Sequence, residues 1–238
     1  MSLVVAEDIS VEFPIYGPQS RSLKNTFIKA ASGGTLARDA TQRVVIRALN
    51  NINFSFKDGD RVGIIGHNGS GKSTLLRVIT GTYEPTLGAI SVQGKIASML
   101  SISVGMEAEA TGLENIYLRG TLMGLQPKEI AALTDGIAEF TELGYYLEMP
   151  LRTYSSGMYM RLAFAISTSV PADIVVMDEW LSVGDASFYE KAQLRLKKMM
   201  GQSKMLFLAS HDENLIRQNC NVLMRLDHGE MIDLEFFS

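Results

Sequence analysis

The stretch Gly66-His67-Asn68-Gly69-Ser70-Gly71-Lys72-Ser73-Thr74 constrains this chain more than any other. It follows the apolar run Arg61-Val62-Gly63-Ile64-Ile65 and leads into Leu75-Leu76-Arg77-Val78-Ile79, so the local order is strand, glycine loop, helix. The spacing G-x-x-x-x-G-K-[ST] lets consecutive backbone N–H groups turn toward one anion. The helix that follows presents the positive end of its dipole to the same point. In a phosphate loop of this kind Lys72 reaches the terminal phosphates and the Ser73 hydroxyl sits on magnesium.

A second signal lies downstream. Ile174-Val175-Val176-Met177-Asp178-Glu179 is an apolar run ending in two acids, the Walker B arrangement. An unpaired carboxylate at the end of a buried strand is costly, so Asp178 calls for a cation or hydrogen-bond donors. Glu179, one residue further, is placed to polarise a water. Ser210-His211-Asp212 closes the next apolar run, Met205 to Ala209, and puts His211 just past a strand of the same sheet. Tyr154-Ser155-Ser156-Gly157-Met158 opens a predicted helix, Tyr159 to Ser169, with Ser155 as its N-cap and backbone exposed at Gly157.

The 238 residues, 46% hydrophobic, are enough to bury a sizeable core as one α/β domain with an inserted lobe. A net charge of −4 gives no surface built for nucleic acid. The single cysteine, Cys220, excludes a disulfide framework and reads as a small apolar residue in a packed segment. No run of 18 apolar residues and no signal peptide is present, so the chain is expected neither to be secreted nor to span a membrane by itself.

In chain order, Leu3 to Val5 and Ile9 to Phe13 read as two short strand pieces, and Val44 to Phe56 as a half-buried strand. Ala89 to Val92 and Lys95 to Leu100 predict two more. After the N-terminal pieces, Gly17 to Asn50 carries six basic residues against one acid, a net of +5. Its Leu23, Phe27 and Ile28 fall at helical spacing in Ser22 to Ala31, which predicts a short amphipathic helix; the segment reads either as a solvated insertion or as a face toward anionic lipid or a membrane-embedded partner. From Ser103 to about Val170 the pattern is helical, with a capping box at Thr111-Gly112-Leu113-Glu114 and a start at Gln126-Pro127-Lys128-Glu129. Ala172 to Met177 and Met205 to Ala209 are unbroken apolar runs typical of buried parallel strands, with a helix over Ser187 to Met200 between them. Val222 to Leu226 and Met231-Ile232 flank the turn Asp227-His228-Gly229 as a closing hairpin. The expected organisation is a split nucleotide-binding core, 1–100 and 171–238, around a helical insertion, 101–170.

Taken in order, the phosphate loop, the helical insertion, Tyr154 to Met158, Asp178-Glu179, Ser182-Val183-Gly184-Asp185 and His211 resemble the ATPase subunit of an ABC transporter over essentially the whole chain. The wording Tyr-Ser-Ser-Gly-Met, the run Asp178 to Asp185, Thr111 to Asn115 and Phe13 to Gly17 resemble the exporters of bacterial surface polysaccharide: O-antigen, capsule and teichoic acid. The resemblance implies a P-loop NTPase (RecA-like) α/β core with an antiparallel β subdomain and an inserted α-helical subdomain. It implies an ATPase working with ATP and Mg2+ as a homodimer. A separate membrane permease would hold it at the cytoplasmic face of the cytoplasmic membrane, with no role for nucleic acid. The rival expectations are a soluble ABC ATPase without a transport role and a nucleotide-gated regulatory protein. Because the chain ends soon after the predicted hairpin, direct recognition of glycan by this subunit is not expected.

By the same resemblance, Gly66 to Thr74 (Gly66, His67, Asn68, Gly69, Ser70, Gly71, Lys72, Ser73 and Thr74) would hold the nucleotide in one subunit, and Ser155, Ser156 and Gly157 of the other would close over it. Ser73 and Asp178 would hold the metal. Glu179, His211 and Lys72 would be catalytic, and Asp185 would communicate across the dimer. Phe13 or Tyr16 would stack on adenine. Two features depart from the family pattern: 96–109 lacks the usual glutamine, whose place falls to Ser101 or Ser103, and the adenine-facing aromatic has two candidates.

Overall fold

The computed structural model describes residues 1–15, 35–38, 44–179 and 186–237. The predicted amphipathic helix at Ser22 to Ala31, Tyr16, and Ser182 to Asp185 lie outside the described residues. The chain divides into two compact units: the described residues of Met1–Ile96, Asp173–Trp180 and Lys204–Ser238, and those of Ala97–Ala172 and Leu181–Ser203.

The first unit is built on strands. An antiparallel sheet takes β1 (Leu3–Pro14), β2 (Thr35–Arg38), β3 (Val44–Lys57) and β5 (Leu87–Gln93) in the order β2-β3-β1-β5. The two predicted pieces at the N-terminus are one strand, β1, with a kink. Asp8 and Asn51 both adopt left-handed backbone, at φ 50° and 52°, which short polar side chains tolerate best. The kink is held by a reciprocal pair: Asp8 N–H donates to Asn53 Oδ1 at 2.8 Å, and Asn53 Nδ2 donates to Asp8 Oδ1 at 2.9 Å.

The larger sheet adds β4 (Arg61–Ile65), β6 (Ile96–Ser98), β7 (Ile174–Asp178), β8 (Met205–Ala209), β9 (Val222–Asp227) and β10 (Glu230–Phe236), ordered β10-β9-β4-β8-β7-β6. The boundary between the two units falls within β6. β4, β7, β8 and β9 run parallel, with Ile64 opposite Ala209 and Asp178 opposite the same Ala209. That register brings the residues after Ile65, Asp178 and Ala209 to one edge, the carboxyl ends of the strands, where ligands of open α/β sheets bind. Leu75, Leu76 and Val78 of helix α1 (Lys72–Ile79) are fully buried, as are all five residues of β8 to within 1%.

The second unit is helical: α2 (Gly112–Leu122), α3 (Pro127–Thr141), α4 (Ser156–Ser167) and α5 (Ala186–Gln202). Both predicted helix starts are present: Thr111 and Glu114 form a full capping box, and the Glu129 carboxylate accepts from the Gln126 N–H at 2.7 Å. The Thr111 N–H holds the Glu114 carboxyl below its usual range. α5 groups with this unit, whereas the sequence boundaries put it with the core. The reason lies in Phe188, whose ring meets Phe140 edge-on at 5.2 Å and Phe164 at 6.3 Å, an aromatic cluster that spacing along the chain does not reveal. Arg119 is buried, donating to the Ile102 carbonyl and, at 3.1 Å, to Ser167 Oγ. Helix α6 (Glu213–Asn219), capped by Asp212, completes the first unit.

Candidate active site

The phosphate loop is shaped by glycines that no other residue replaces. Gly71 stands at φ 108°, and a Cβ there would meet the Ala48 carbonyl at 2.7 Å and the Leu49 side chain at 2.9 Å. Gly66 has the Leu226 carbonyl 2.3 Å from where its Cβ would lie. Gly71 is also the N-cap of α1, and no side chain caps that helix. Its first-turn N–H groups therefore keep no side-chain acceptor, and no acidic residue stands in the first turn. That is the electrostatic state of a helix start that receives an anion.

Lys72 gives an independent test of that fit. It is only 9% exposed, and its Nζ donates to the carbonyls of Gly66 at 2.7 Å and His67 at 3.0 Å. Among the described residues no carboxylate neutralises it. A buried ammonium held by neutral carbonyls alone is stabilised by an incoming phosphate. Ser70 Oγ, fully buried in the same loop, has no hydrogen-bond partner among the described residues.

Ser73 and Asp178 meet. The Ser73 hydroxyl donates to Asp178 Oδ2, joining α1 to the end of β7. A hydroxyl and a carboxylate are hard oxygen ligands, the donor set that suits Mg2+. Glu179 follows in left-handed backbone at φ 65°, its N–H donating to the Ala209 carbonyl at 2.8 Å. Non-glycine residues in that region carry strain of about 1–3 kcal/mol. The main-chain bond to β8 holds the residue there, and its carboxylate is aimed at His211: Nδ1 lies 3.2 Å from Glu179 Oε1, both side chains being well exposed.

Phe13 is 38% exposed and meets Tyr83 edge-on at 5.6 Å; its competitor Tyr16 lies outside the described residues, as does Asp185. His67 sends its side chain to the β9–β10 turn, with Nε2 3.0 Å from Asp227 Oδ1. Its backbone carbonyl, rather than its ring, holds Lys72. That turn, which local sequence did not connect with the loop, buttresses it through Gly229 N–H donating to the Ser70 carbonyl at 2.9 Å. Only the glycine after Asp227-His228 hinted at it.

In the helical unit, Ser155 caps α4: its Oγ accepts from Met158 N–H at 3.2 Å. Ser156, exposed, and Gly157, half-buried, form the first turn. Tyr154 anchors this start by donating from its hydroxyl to the Tyr146 carbonyl at 2.7 Å, and burial pushes its phenol up to about 12. Gly112 leaves the room, since a Cβ there would stand 2.4 Å from that hydroxyl. Ser101 and Ser103, the candidates for the missing glutamine, are exposed on either side of buried Ile102.

A family model described as ABC transporter matches residues 49–182. The O-antigen export system ATP-binding protein RfbE of Yersinia enterocolitica is 41% identical over 229 residues, covering 96% of both chains. RfbB of Myxococcus xanthus, with the same description, is 38% identical over 96% of this chain and 52% of its own length. The teichoic acids export ATP-binding protein TagH of Lactococcus lactis is 41% identical over 77% of this chain and 39% of its own. Among solved structures, the dimeric post-hydrolysis state of the ATP-binding cassette MJ0796 bound to ADP and Pi superposes with a TM-score of 0.69 over 99% of both chains at 21% identity, a likeness of fold.

Proposed function

Because this chain belongs to the ABC transporter family, we propose that it is the ATP-hydrolysing subunit of an exporter for a lipid-linked surface polysaccharide of the O-antigen type. The observation that carries the ATPase reading is the junction of Ser73 with Asp178 beside buried Lys72, with Glu179 and His211 at the ends of the neighbouring strands. The polysaccharide reading rests on the relative from Yersinia enterocolitica, which matches this chain over nearly its whole length.

Phosphoryl transfer to water is mostly a matter of positioning and charge neutralisation. The uncapped N–H groups of α1 and the Lys72 ammonium receive the phosphate tail. Ser73 and Asp178 would hold Mg2+, which when bound neutralises charge on the phosphate oxygens. The Glu179 carboxylate orients a water and takes its proton, and His211 holds that carboxylate by Nδ1. A neutral imidazole has one N–H. When that proton serves Glu179, Nε2 offers only a lone pair, so a contact from His211 to a phosphate oxygen requires the doubly protonated ring.

The sites on the helical unit would come from a second copy. Ser155 Oγ already accepts from Met158 N–H, so its own proton is available for a phosphate oxygen across the interface. Closing that interface removes water: a unit charge pair at 4 Å is worth about 1 kcal/mol in water and about 4 at an effective dielectric of 20. Slow turnover of the monomer follows. Among the described residues no helix is long and apolar enough to cross a membrane, and a separate permease would supply the spanning part and hold this subunit at the cytoplasmic face.

Glu179→Gln tests the enzyme reading. The variant should bind MgATP, run as a dimer in light scattering, and turn over at under about a hundredth of the parent rate; full turnover, or no MgATP binding in the parent, refutes it. Replacing the chromosomal copy with the same variant should remove the glycan from the cell surface and leave its lipid-linked form inside. An unchanged surface would refute export while leaving the ATPase standing.

A further inference from the structure

The β9–β10 turn is tied by main-chain bonds to the phosphate loop, Gly229 N–H to the Ser70 carbonyl at 2.9 Å, and to β3, Asn50 N–H to the Gly229 carbonyl at 2.8 Å. In that setting two imidazoles and a carboxylate converge. His67 Nε2 is 3.0 Å and His228 Nε2 3.9 Å from the same oxygen, Asp227 Oδ1. The two ring centroids are 4.8 Å apart, and one ligand atom from each of the three residues lies within 4.8 Å of the others. None of the Mg2+ chemistry at Ser73 and Asp178 uses these groups.

The hydrogen-bond pattern of His67 is what points to a cation. Its Nδ1 is 2.8 Å from the Asn68 carbonyl, which can only accept, so the ring proton of a neutral imidazole sits on Nδ1. Nε2 then faces a carboxylate with a lone pair, 3.0 Å away. Two lone pairs at that distance repel unless a proton or a metal ion lies between them. A second proton on His67 would satisfy this pair alone, whereas a metal ion would also draw on a second imidazole, that of His228, whose Nε2 lies 3.9 Å from the same oxygen. With metal–ligand bonds of about 2.0–2.1 Å, two corners of a tetrahedron stand about 3.3 Å apart, and the observed 3.0 and 3.9 Å bracket that spacing.

We propose that His67, Asp227 and His228 form a binding site for a late first-row divalent metal, Zn2+ above all, that staples the phosphate loop to the β9–β10 turn. Two neutral imidazoles and one carboxylate suit Zn2+ and disfavour Mg2+, which prefers oxygen ligands throughout. The side chains are 44%, 46% and 58% exposed, so the ion enters from solvent without unfolding and keeps an open coordination position. Bound metal would cross-link the phosphate loop to a strand pair remote in sequence and stiffen the loop's outer flank.

The test uses full-length protein carrying no histidine tag, in excess Mg2+, titrated with Zn2+ by calorimetry and with Co2+ as an absorbing probe. The parent should take up one Zn2+ per chain, gain thermal midpoint with it, and give the visible bands of low-coordinate Co2+. Asp227→Asn and His228→Asn should weaken uptake by about tenfold or more and lose the midpoint gain. Asn is chosen at 228 because that residue stands at φ 47°, a conformation Asn tolerates. Asp178→Asn and Cys220→Ser should leave Zn2+ uptake intact. No uptake by the parent, equal uptake by the 227 and 228 variants, or loss of uptake through Asp178→Asn or Cys220→Ser would overturn the proposal; His67 would then be a plain imidazolium partner of Asp227. None of these results bears on ATP turnover in Mg2+, which is measured separately.

Discussion

The Ser73 hydroxyl donates to the Asp178 carboxylate, linking the first turn of α1 to the end of β7. The two groups satisfy each other where both would otherwise be partly buried oxygens at a strand end and a helix start. A serine and an acid far apart in the chain become one ligand pair because β4 and β7 flank β8 in parallel.

Asp178→Asn keeps an acceptor for Ser73 and removes the charge. Binding of ATP without Mg2+ should stay close to the parent value, while the tightening caused by Mg2+ disappears and turnover falls by about a hundredfold. Calorimetry with and without the metal reads the difference. A variant that still gains affinity from Mg2+ would remove Asp178 from the metal site.

Glu179 stands in left-handed backbone, at φ 65°. Glu179→Gly and Glu179→Ala both delete the carboxylate and should both abolish turnover, but glycine alone relieves the strain. Urea unfolding should find the glycine variant about 1 kcal/mol more stable than the alanine one. The reverse order would mean the backbone there is unstrained.

Gly71→Ala pushes a methyl group against the Ala48 carbonyl at φ 108°. It should lose about 2 kcal/mol or more of stability together with nucleotide binding. Gly136, inside α3 with nothing within 4 Å of its would-be Cβ, is the control. Gly136→Ala should gain about 0.5–1 kcal/mol and leave ATP binding unaltered. Equal effects at the two sites would contradict the close approach at Gly71.

Burial pushes the Cys220 thiol up to about 12, against about 8.5 for a thiol in the unfolded chain. Below about pH 8.5 both states hold the proton and stability does not depend on it. From there upward the unfolded state ionises first, so stability falls with rising pH until the folded thiol ionises as well. The native protein should resist a thiol reagent at pH 8 and react once unfolded in urea. Cys220→Ala should flatten part of the alkaline loss. Rapid labelling of the native chain would show the thiol to be accessible.

What was legible in the sequence is what depends on neighbours in the chain. Arg61 to Ile65 and Met205 to Ala209 are strands with the bounds their apolar runs predict, because a fully buried strand shows as an unbroken apolar segment ended by glycine or polar residues. Thr111 with Glu114 and Ser155 with Met158 are caps readable from spacing, since the bonds they make span three residues. The phosphate loop belongs to the same class: glycine positions and one lysine set its local geometry.

Other features have no local signature. The β1 kink depends on Asn53 across the sheet, α5 is claimed by an aromatic cluster with Phe140 and Phe164, and His67 turns to Asp227 because the β9–β10 turn packs on the loop. The sequence by itself determined the phosphate loop, the acid pair and the strands and helices that carry them, since these follow from backbone geometry and short-range spacing. Only the tertiary structure decided which strand ends lie side by side and which side chains meet across them. Those adjacencies come from burying remote apolar segments against one another, and burial is indifferent to distance along the chain.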